Sequence, residues 1–440
     1  MGEPGPTPRL EDTQGNILSE YPQRAMALVF VEFTDTSQVR PWLLDTARHI
    51  TWGDARLDRQ WCLNVHLTYR FLQKIGTRAS VLRELPSAFR EGMAPRACSM
   101  LGDAGRNAPE HWEWPFRERR VDAMVSLHVD DERSIQGLRA QALREVFHRP
   151  GVELLREETG GKLDGDREHF GFRDGIGQPH IHGVSPQRAT GVIEGLGVPE
   201  VPAGEFVLGY PCAGVQRAAR VLPGGLGDHS SFLVYRKLSQ DVGAFRRFLA
   251  RSRSTPGQQD QLAAWMVGRW PNGASLVQHP VRMGAVEDRE LDDFNYADDP
   301  DGRICPLGSH ARRMNPRNRR TASHKHRIVR RGMPYGSPLS CDTTENDGLD
   351  RGLLFQAYNS SIEEQFEFLQ RMWVGNGNFA GLASYEDDPL IGGRGATGSS
   401  LLRVEPSRIG GIPRFVTVLG GEYFLTPGRG ALERLLAGRG

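Results

Sequence analysis

Three nine-residue segments constrain the fold most: Ala25–Phe33 (AMALVFVEF), Trp61–Tyr69 (WCLNVHLTY) and Val121–Val129 (VDAMVSLHV). Each mixes two-residue alternation with clusters of valine, leucine and phenylalanine, the pattern of a strand with a buried face. Ala25–Phe33 is the longest apolar run. It is less than half the ~20 residues that a membrane span requires and is interrupted by Glu32, so no part of the chain is expected to cross a bilayer.

Helical spacing lies between the strand-like segments. Val81–Arg90, Glu132–His148, Val242–Ser252 and Ile362–Trp373 carry apolar residues at steps of three and four, as Val242, Phe245, Phe248 and Leu249 do. Glu205–Tyr210, Ser231–Tyr235 and Pro413–Leu419 read as further strands. Helices and alternating strands in mixed order predict an α+β protein of antiparallel sheets with helices on one face. The Gly/Pro-rich zone from Gly183 to Gly204 is the best boundary, giving an N-terminal half of 1–190 and a C-terminal half of 191–440.

Charge and cysteine usage remove several classes. Lys plus Arg number 55 and Asp plus Glu 54, a net charge of +1, so no global basic excess exists to bind nucleic acid. The five cysteines are scattered and lack CxxC or CxxCH spacing. That disfavours a disulfide framework, a structural zinc site and covalent haem attachment, and points to a reducing compartment. Met1–Thr13 has neither a basic region nor an apolar core of signal-peptide type, and a cytoplasmic location is expected.

Glycine, at 52 of 440 residues, is about 12% against a usual ~7%. One concentration is Gly171–Pro179 (GFRDGIGQP), where glycines flank Asp174 and let the backbone turn sharply beside a bulky ligand. An Asp-Gly turn alone would account for the dipeptide. In Ser309–Asn318 (SHARRMNPRN), His310 precedes three arginines: a neutral imidazole ligates iron, zinc or copper, and guanidiniums neutralise carboxylates or phosphates. His326–Gly336 (HRIVRRGMPYG) sets Arg330 and Arg331 at the end of a short apolar strand, where arginines ordinarily face solvent. The pairs His180/His182 and His324/His326 have strand spacing for a metal, but surface pairs of this kind are common. Asp164, Asp166 and Glu168 lack the spacing of a calcium loop, and Gly392–Ser400 lacks a phosphate-loop lysine.

Taken together, the three segments resemble the dye-decolorizing peroxidase family, haem enzymes whose GxxDG hallmark stands here at Gly171–Gly175. The similarity also takes in DTQGNIL (12–18), the LTYR stretch before Leu72, SFLVYRKL (231–238), GRWPNGAS (268–275) and RGLLF (351–355), and runs from about Asp12 past Val416. The resemblance implies two ferredoxin-like halves, each an antiparallel sheet with helices on its outer side, and one haem b per chain in the C-terminal half. By position, His310 is similar to the proximal iron ligand, Asp174 and Arg330 to the distal pair, and Arg317 to a haem-propionate contact. Asp388 resembles the carboxylate behind the proximal histidine, and Leu353 and Phe355 the apolar lining of the distal pocket.

The implied activity is oxidation of dyes, phenols or other aromatic donors by hydrogen peroxide through a ferryl intermediate. An aspartate that shuttles the peroxide proton favours acidic conditions. Tyr335 and Trp373 lie where some relatives carry surface electron-transfer sites, although core packing would account for Trp373. The alternatives are a haem-handling, dechelatase-like protein, which would not need Asp174 as a shuttle, and a non-haem metal-binding protein using the histidine pairs. Gly332 stands where some bacterial members place an asparagine. A homo-oligomer is compatible with the sequence. Loading into an encapsulin shell is not expected, because GRGALERLLAGRG follows no linker.

Overall fold

A computed structural model of the chain describes residues 6–56, 59–130, 149–184, 200–213, 218–281, 287, 291–317, 325–383, 386–392, 399–404 and 407–438. The expected helix Glu132–His148, the boundary at 190/191 and His324 lie outside the described residues. Among the described residues no helix is long and apolar enough to cross a membrane.

Eleven strands are seen among the described residues: β1 (Ala25–Phe33), β2 (Trp61–Leu67), β3 (Ala123–Val129), β4 (Val152–Gly161), β5 (Ser231–Gln240), β6 (Val329–Arg330), β7 (Met333–Tyr335), β8 (Gly352–Asn359), β9 (Ser399–Val404), β10 (Ser407–Pro413) and β11 (Val416–Thr426). Nine form one antiparallel sheet in the order β4-β1-β3-β2-β11-β5-β8-β6, with β7 also on β8; β9 and β10 form a separate hairpin. The first four strands lie in spatial order fourth, first, third, second. The C-terminal set repeats this order when β6 and β7 are counted as its second strand. Each set is a ferredoxin-like α+β unit, and the two meet at one bridge, Leu67 to Leu425.

The strand periodicity is right in chemistry but not in exposure. Every residue of β1 is buried, because one face packs on helix Val39–Ala47, where Trp42 meets Phe33 at 5.2 Å, and segment 13–21 covers polar residues on neighbouring strands. Gln14 Nε2 of that segment donates to Val65 O (3.2 Å) and Pro427 O (2.9 Å), and His66 bonds Thr426 Oγ1 (2.8 Å) and Ser126 Oγ (3.1 Å). Burial pushes the pKa of His66 and of His128 down to about 3, so both are neutral.

Several expected elements differ: Pro413–Leu419 is not one strand but takes in the end of β10 and the start of β11. Glu205–Tyr210 is not a strand but a short 3₁₀ turn, Ala203–Glu205, followed by bends. Its Phe206, Val207 and Leu208 are core residues, and a short apolar run reads alike in a strand and a buried loop. Val81–Arg90 is two helices, Ala79–Glu84 and Ser87–Glu91. Pro86 lacks an N–H and holds Leu85 extended.

Candidate active site

The C-terminal part of the sheet builds one wall of a cavity of about 320 Å³. Leu353 on β8 pairs with Leu238 on β5, which pairs with Val418 on β11. The same-face residues two positions on, Phe355 and Arg236, are also paired. All five line the cavity, whose other side is formed by helix His310–Met314 and by Leu369, Val374 and Ile391. Leu353 and Phe355 are among these lining residues.

His310 begins its helix immediately after Ser309. Its Nδ1 is 2.8 Å from Asp388 Oδ2, and Asp388 Oδ1 accepts the N–H groups of Leu390 (2.9 Å) and Ile391 (3.0 Å). Burial alone would raise the Asp388 pKa. The neighbouring His310 and Arg313 and these bonds outweigh it and hold the carboxyl below its ordinary value. Asp388 therefore fixes the imidazole with Nδ1 as donor, leaving Nε2 as the nitrogen available to the cavity that His310 lines.

Asp174 and Arg330 border the same cavity. The backbone of Gly175, at φ +80°, takes a conformation that residues with a Cβ rarely adopt, and its N–H donates to Asp174 Oδ1 at 2.7 Å. Arg330 Nη1 donates to the same oxygen at 2.7 Å and Nη2 to Ile176 O at 3.0 Å. Burial works to raise the Asp174 pKa, but Arg330 and the Gly175 N–H prevail, and it lies below its ordinary value. Gln178 joins loop to strand: its Oε1 accepts from Arg330 N (3.1 Å) and its Nε2 donates to Arg330 O (3.0 Å). Asp174 and Arg330 also border a second cavity of about 280 Å³, which Gln178, His128 and Arg331 line.

One end of the main cavity is rich in guanidinium. Arg317 donates to Asp292 O (2.8 Å) and ion-pairs with its carboxylate, which Arg269 also meets at 2.7 Å. Arg327 donates to Gly177 O at 2.8 Å, and burial pushes its pKa down to about 10. Three cations around one carboxylate leave an excess of positive charge suited to anionic groups. The sequence offered all three arginines of SHARRMNPRN; only Arg317 of them lines the cavity, because Arg312 is bonded to Asp299 and Cys305 O and Arg313 to main-chain carbonyls. Arg269, Asp292 and Arg327 come from segments whose proximity no spacing reveals.

Glu168, which the sequence offered only as one of three acidic residues without calcium-loop spacing, is half-buried and lines the cavity. It accepts from Phe170 N (2.9 Å), Phe172 N (3.0 Å) and Gln240 Nε2 (2.6 Å), and burial pushes its pKa up to about 7. Tyr335 is 7% exposed, which places its ring inside rather than at the surface. Its OH donates to Asp350 Oδ1 at 2.9 Å, and that carboxylate reaches solvent. Trp373 is half-buried, 5.4 Å from the ring of His326, which lines the cavity and stacks on Phe368 at 3.7 Å. His180 and His182 flank Glu200, but among the described residues no group of three or more His, Cys, Asp or Glu is arranged to hold a metal ion.

The cavity fits a planar macrocycle with two carboxylates. It offers one imidazole with a free Nε2, an apolar wall across three strands, and a cationic end. The family model "Dyp-type peroxidase, C-terminal" matches residues 274–388. A dye-decolorizing peroxidase of Exidia glandulosa is 28% identical over 463 residues, covering 97% of this chain and 87% of the relative. Multifunctional dye peroxidase DyP2 of Amycolatopsis sp. is 28% identical over 480 residues, covering 97% and 96%. The solved structure of an ancestral D-type dye-decolorizing peroxidase superposes with a TM-score of 0.86 at 26% identity, covering 98% of this chain and 100% of that one.

Proposed function

The chain belongs to the Dyp-type peroxidase family, and from that premise we propose that it holds one haem b on His310 and uses hydrogen peroxide to oxidise bulky dyes, phenols or related aromatic donors. The observation that carries this reading is the placing of two side-chain pairs on one cavity: His310, hydrogen-bonded to Asp388, and Asp174, ion-paired with Arg330. Haem, when bound, supplies the electron transfer that peroxide and donors require.

The residues divide the remaining work. Asp388 accepts the Nδ1–H of His310, which leaves Nε2 as the nitrogen that would hold the haem iron, and this bond would raise the donor strength of the imidazole. Asp174, ionised because Arg330 and Gly175 stabilise its carboxylate, takes a proton from one peroxide oxygen and returns it to the leaving oxygen. Arg330 keeps a cation beside the peroxide and stabilises the negative charge that develops as the O–O bond breaks. A second cavity of about 280 Å³ borders the same pair and would admit a small polar molecule beside it. Arg317 and Arg327 neutralise the cofactor's carboxylates, and Leu353, Phe355 and Leu238 exclude water from the ring face.

A bulky donor is oxidised at the surface in this reading. Tyr335 can lose its phenolic proton to Asp350 as it loses an electron, and His326 and Phe368 place aromatic rings between the cavity and Trp373.

The test is the absorbance spectrum of purified, haem-loaded protein before and after one equivalent of hydrogen peroxide. A Soret band that shifts with peroxide in the wild type, and fails to shift in Asp174→Asn and Arg330→Leu, is expected. Absence of a Soret band overturns the haem assignment. Wild-type peroxide reactivity in Asp174→Asn would end its assignment as the shuttle, whereas a wild-type Soret band that peroxide does not shift would favour a haem-handling protein.

A further inference from the structure

Helix His310–Met314 is five residues long, too short to hold its own orientation. Two consecutive buried arginines anchor it on different sides. Arg312 reaches toward residues 299–305: Nη1 donates to Asp299 Oδ2 (2.9 Å) and Cys305 O (2.6 Å), and Nη2 to Asp299 O (2.6 Å). Arg313, fully buried, reaches the other way. Its Nε donates to Gly308 O (3.0 Å), its Nη1 to Trp373 O (2.6 Å) and Asn376 O (3.3 Å), and its Nη2 to Glu386 O.

Those last three carbonyls belong to the stretch that ends on Asp388, whose own N–H donates to Val374 O at 3.1 Å. A rigid fork with five N–H donors can join four carbonyls from separate points of the chain, which a lysine cannot. Full burial of a cation is costly unless its donors are satisfied, and here the satisfying atoms are the main chain on both sides of the His310–Asp388 contact.

We propose that Arg313 is a positioning residue for that contact: its guanidinium ties the segment carrying Asp388 to the helix carrying His310 and so sets the 2.8 Å hydrogen bond between them. The inference rests on the reading of His310 as the iron ligand.

The consequence is a measurable property of the bound haem. A firm Nδ1–H bond to a carboxylate makes the imidazole a stronger donor and favours ferric over ferrous iron. Losing the tie weakens that bond and raises the ferric/ferrous potential. Arg313 acting only through its charge would have the opposite sign, because removing a buried cation stabilises the ferric state and lowers the potential. Lysine separates the two, since it keeps the charge and loses the fork.

Haem-loaded wild type, Arg313→Lys, Arg313→Gln and Arg312→Lys are compared by spectroelectrochemical titration and by the resonance Raman iron–imidazole stretch of the ferrous form. Both Arg313 variants are expected to shift the ferric/ferrous equilibrium about tenfold toward ferrous, about 59 mV for one electron, and to lower the stretching frequency. Arg312→Lys should move neither reading. An Arg313→Lys protein that melts cooperatively but no longer takes up haem also supports the assignment.

Wild-type readings in Arg313→Lys overturn it, as does a fall in potential confined to Arg313→Gln. So does failure of Arg313→Lys to fold while Arg312→Lys folds, which would make Arg313 a general fold residue. A wild-type protein that gives no Soret band defeats the functional reading itself, an outcome distinct from a failure confined to the Arg313 variants.

Discussion

Asp174 and Arg330 are 156 positions apart in the chain and 2.7 Å apart at the cavity. The glycine-rich loop of Asp174 is held to β6 through both ends of the Gln178 amide. The carboxylate shares its Oδ1 between a guanidinium and a main-chain N–H, and that sharing keeps it ionised.

Loss of either partner should therefore act on the peroxide step. Asp174→Asn removes the proton acceptor and is expected to slow reaction with peroxide by ~10²–10⁴-fold; Arg330→Leu removes the charge stabilisation, worth on the order of 10²–10³-fold. Stopped-flow mixing with peroxide measures both. Near wild-type rates in Asp174→Asn would end its assignment as the shuttle.

The pH profile follows from the sign of the Asp174 shift. Its folded pKa lies below the ordinary ~3.9, so the basic form persists into acid and is lost only as pH falls through that depressed value. Removing Arg330 should move the acid limb of kcat/KM for peroxide upward, and an unmoved limb would contradict the pairing. The same shift means that the pair stabilises the fold above the unfolded pKa and stops doing so as pH falls through the folded one.

On the opposite side of the cavity, Asp388→Asn replaces a charged acceptor with a neutral one. Haem affinity or activity should fall by ~10–100-fold, with a rise in the ferric/ferrous potential. A variant with unchanged potential would show that the His310–Asp388 bond does not tune the ligand.

Glu168 carries a shift of the other sign. Its pKa of about 7 in the folded chain, against ~4.3 unfolded, means that its contribution to stability is present in full below the unfolded value and is lost as pH rises toward 7. The slope is at most about 1.4 kcal/mol per pH unit. Urea unfolding of wild type and Glu168→Gln from pH 4 to 8 should give curves that converge at the acid end, relative to a common reference, and separate toward neutrality. A constant difference across that range would refute the shift.

Electron transfer to the surface is tested by substrate size. Tyr335→Phe removes the OH that Asp350 accepts, and Trp373→Phe removes the indole beside His326. Either change should lower turnover of a bulky dye several-fold more than turnover of a small phenol. Equal losses on both substrates, or none, would assign these side chains to packing.

Much of this molecule could be read along the chain because it is local. Strands β1, β2, β3 and β5 follow from side-chain alternation, helix Val242–Ser252 from apolar spacing, and the turn at Asp174 from its glycines. The chemical types at His310, Asp174 and Arg330 were equally plain. Where periodicity had a competitor it misled: Pro86 divided one expected helix, and the apolar run at Phe206–Leu208 entered the core as a loop. What only the tertiary structure decided is partnership. Gln178 against Arg330, Asp292 between Arg269 and Arg317, Arg327 at the cavity, Glu168 against Gln240 and Arg313 against the carbonyls of Trp373, Asn376 and Glu386 all join segments far apart in sequence. A side chain's charge and hydrogen-bonding capacity are fixed by its identity, whereas the groups that meet that capacity, and so its pKa and its role, depend on which strands and loops the fold brings within about 3 Å.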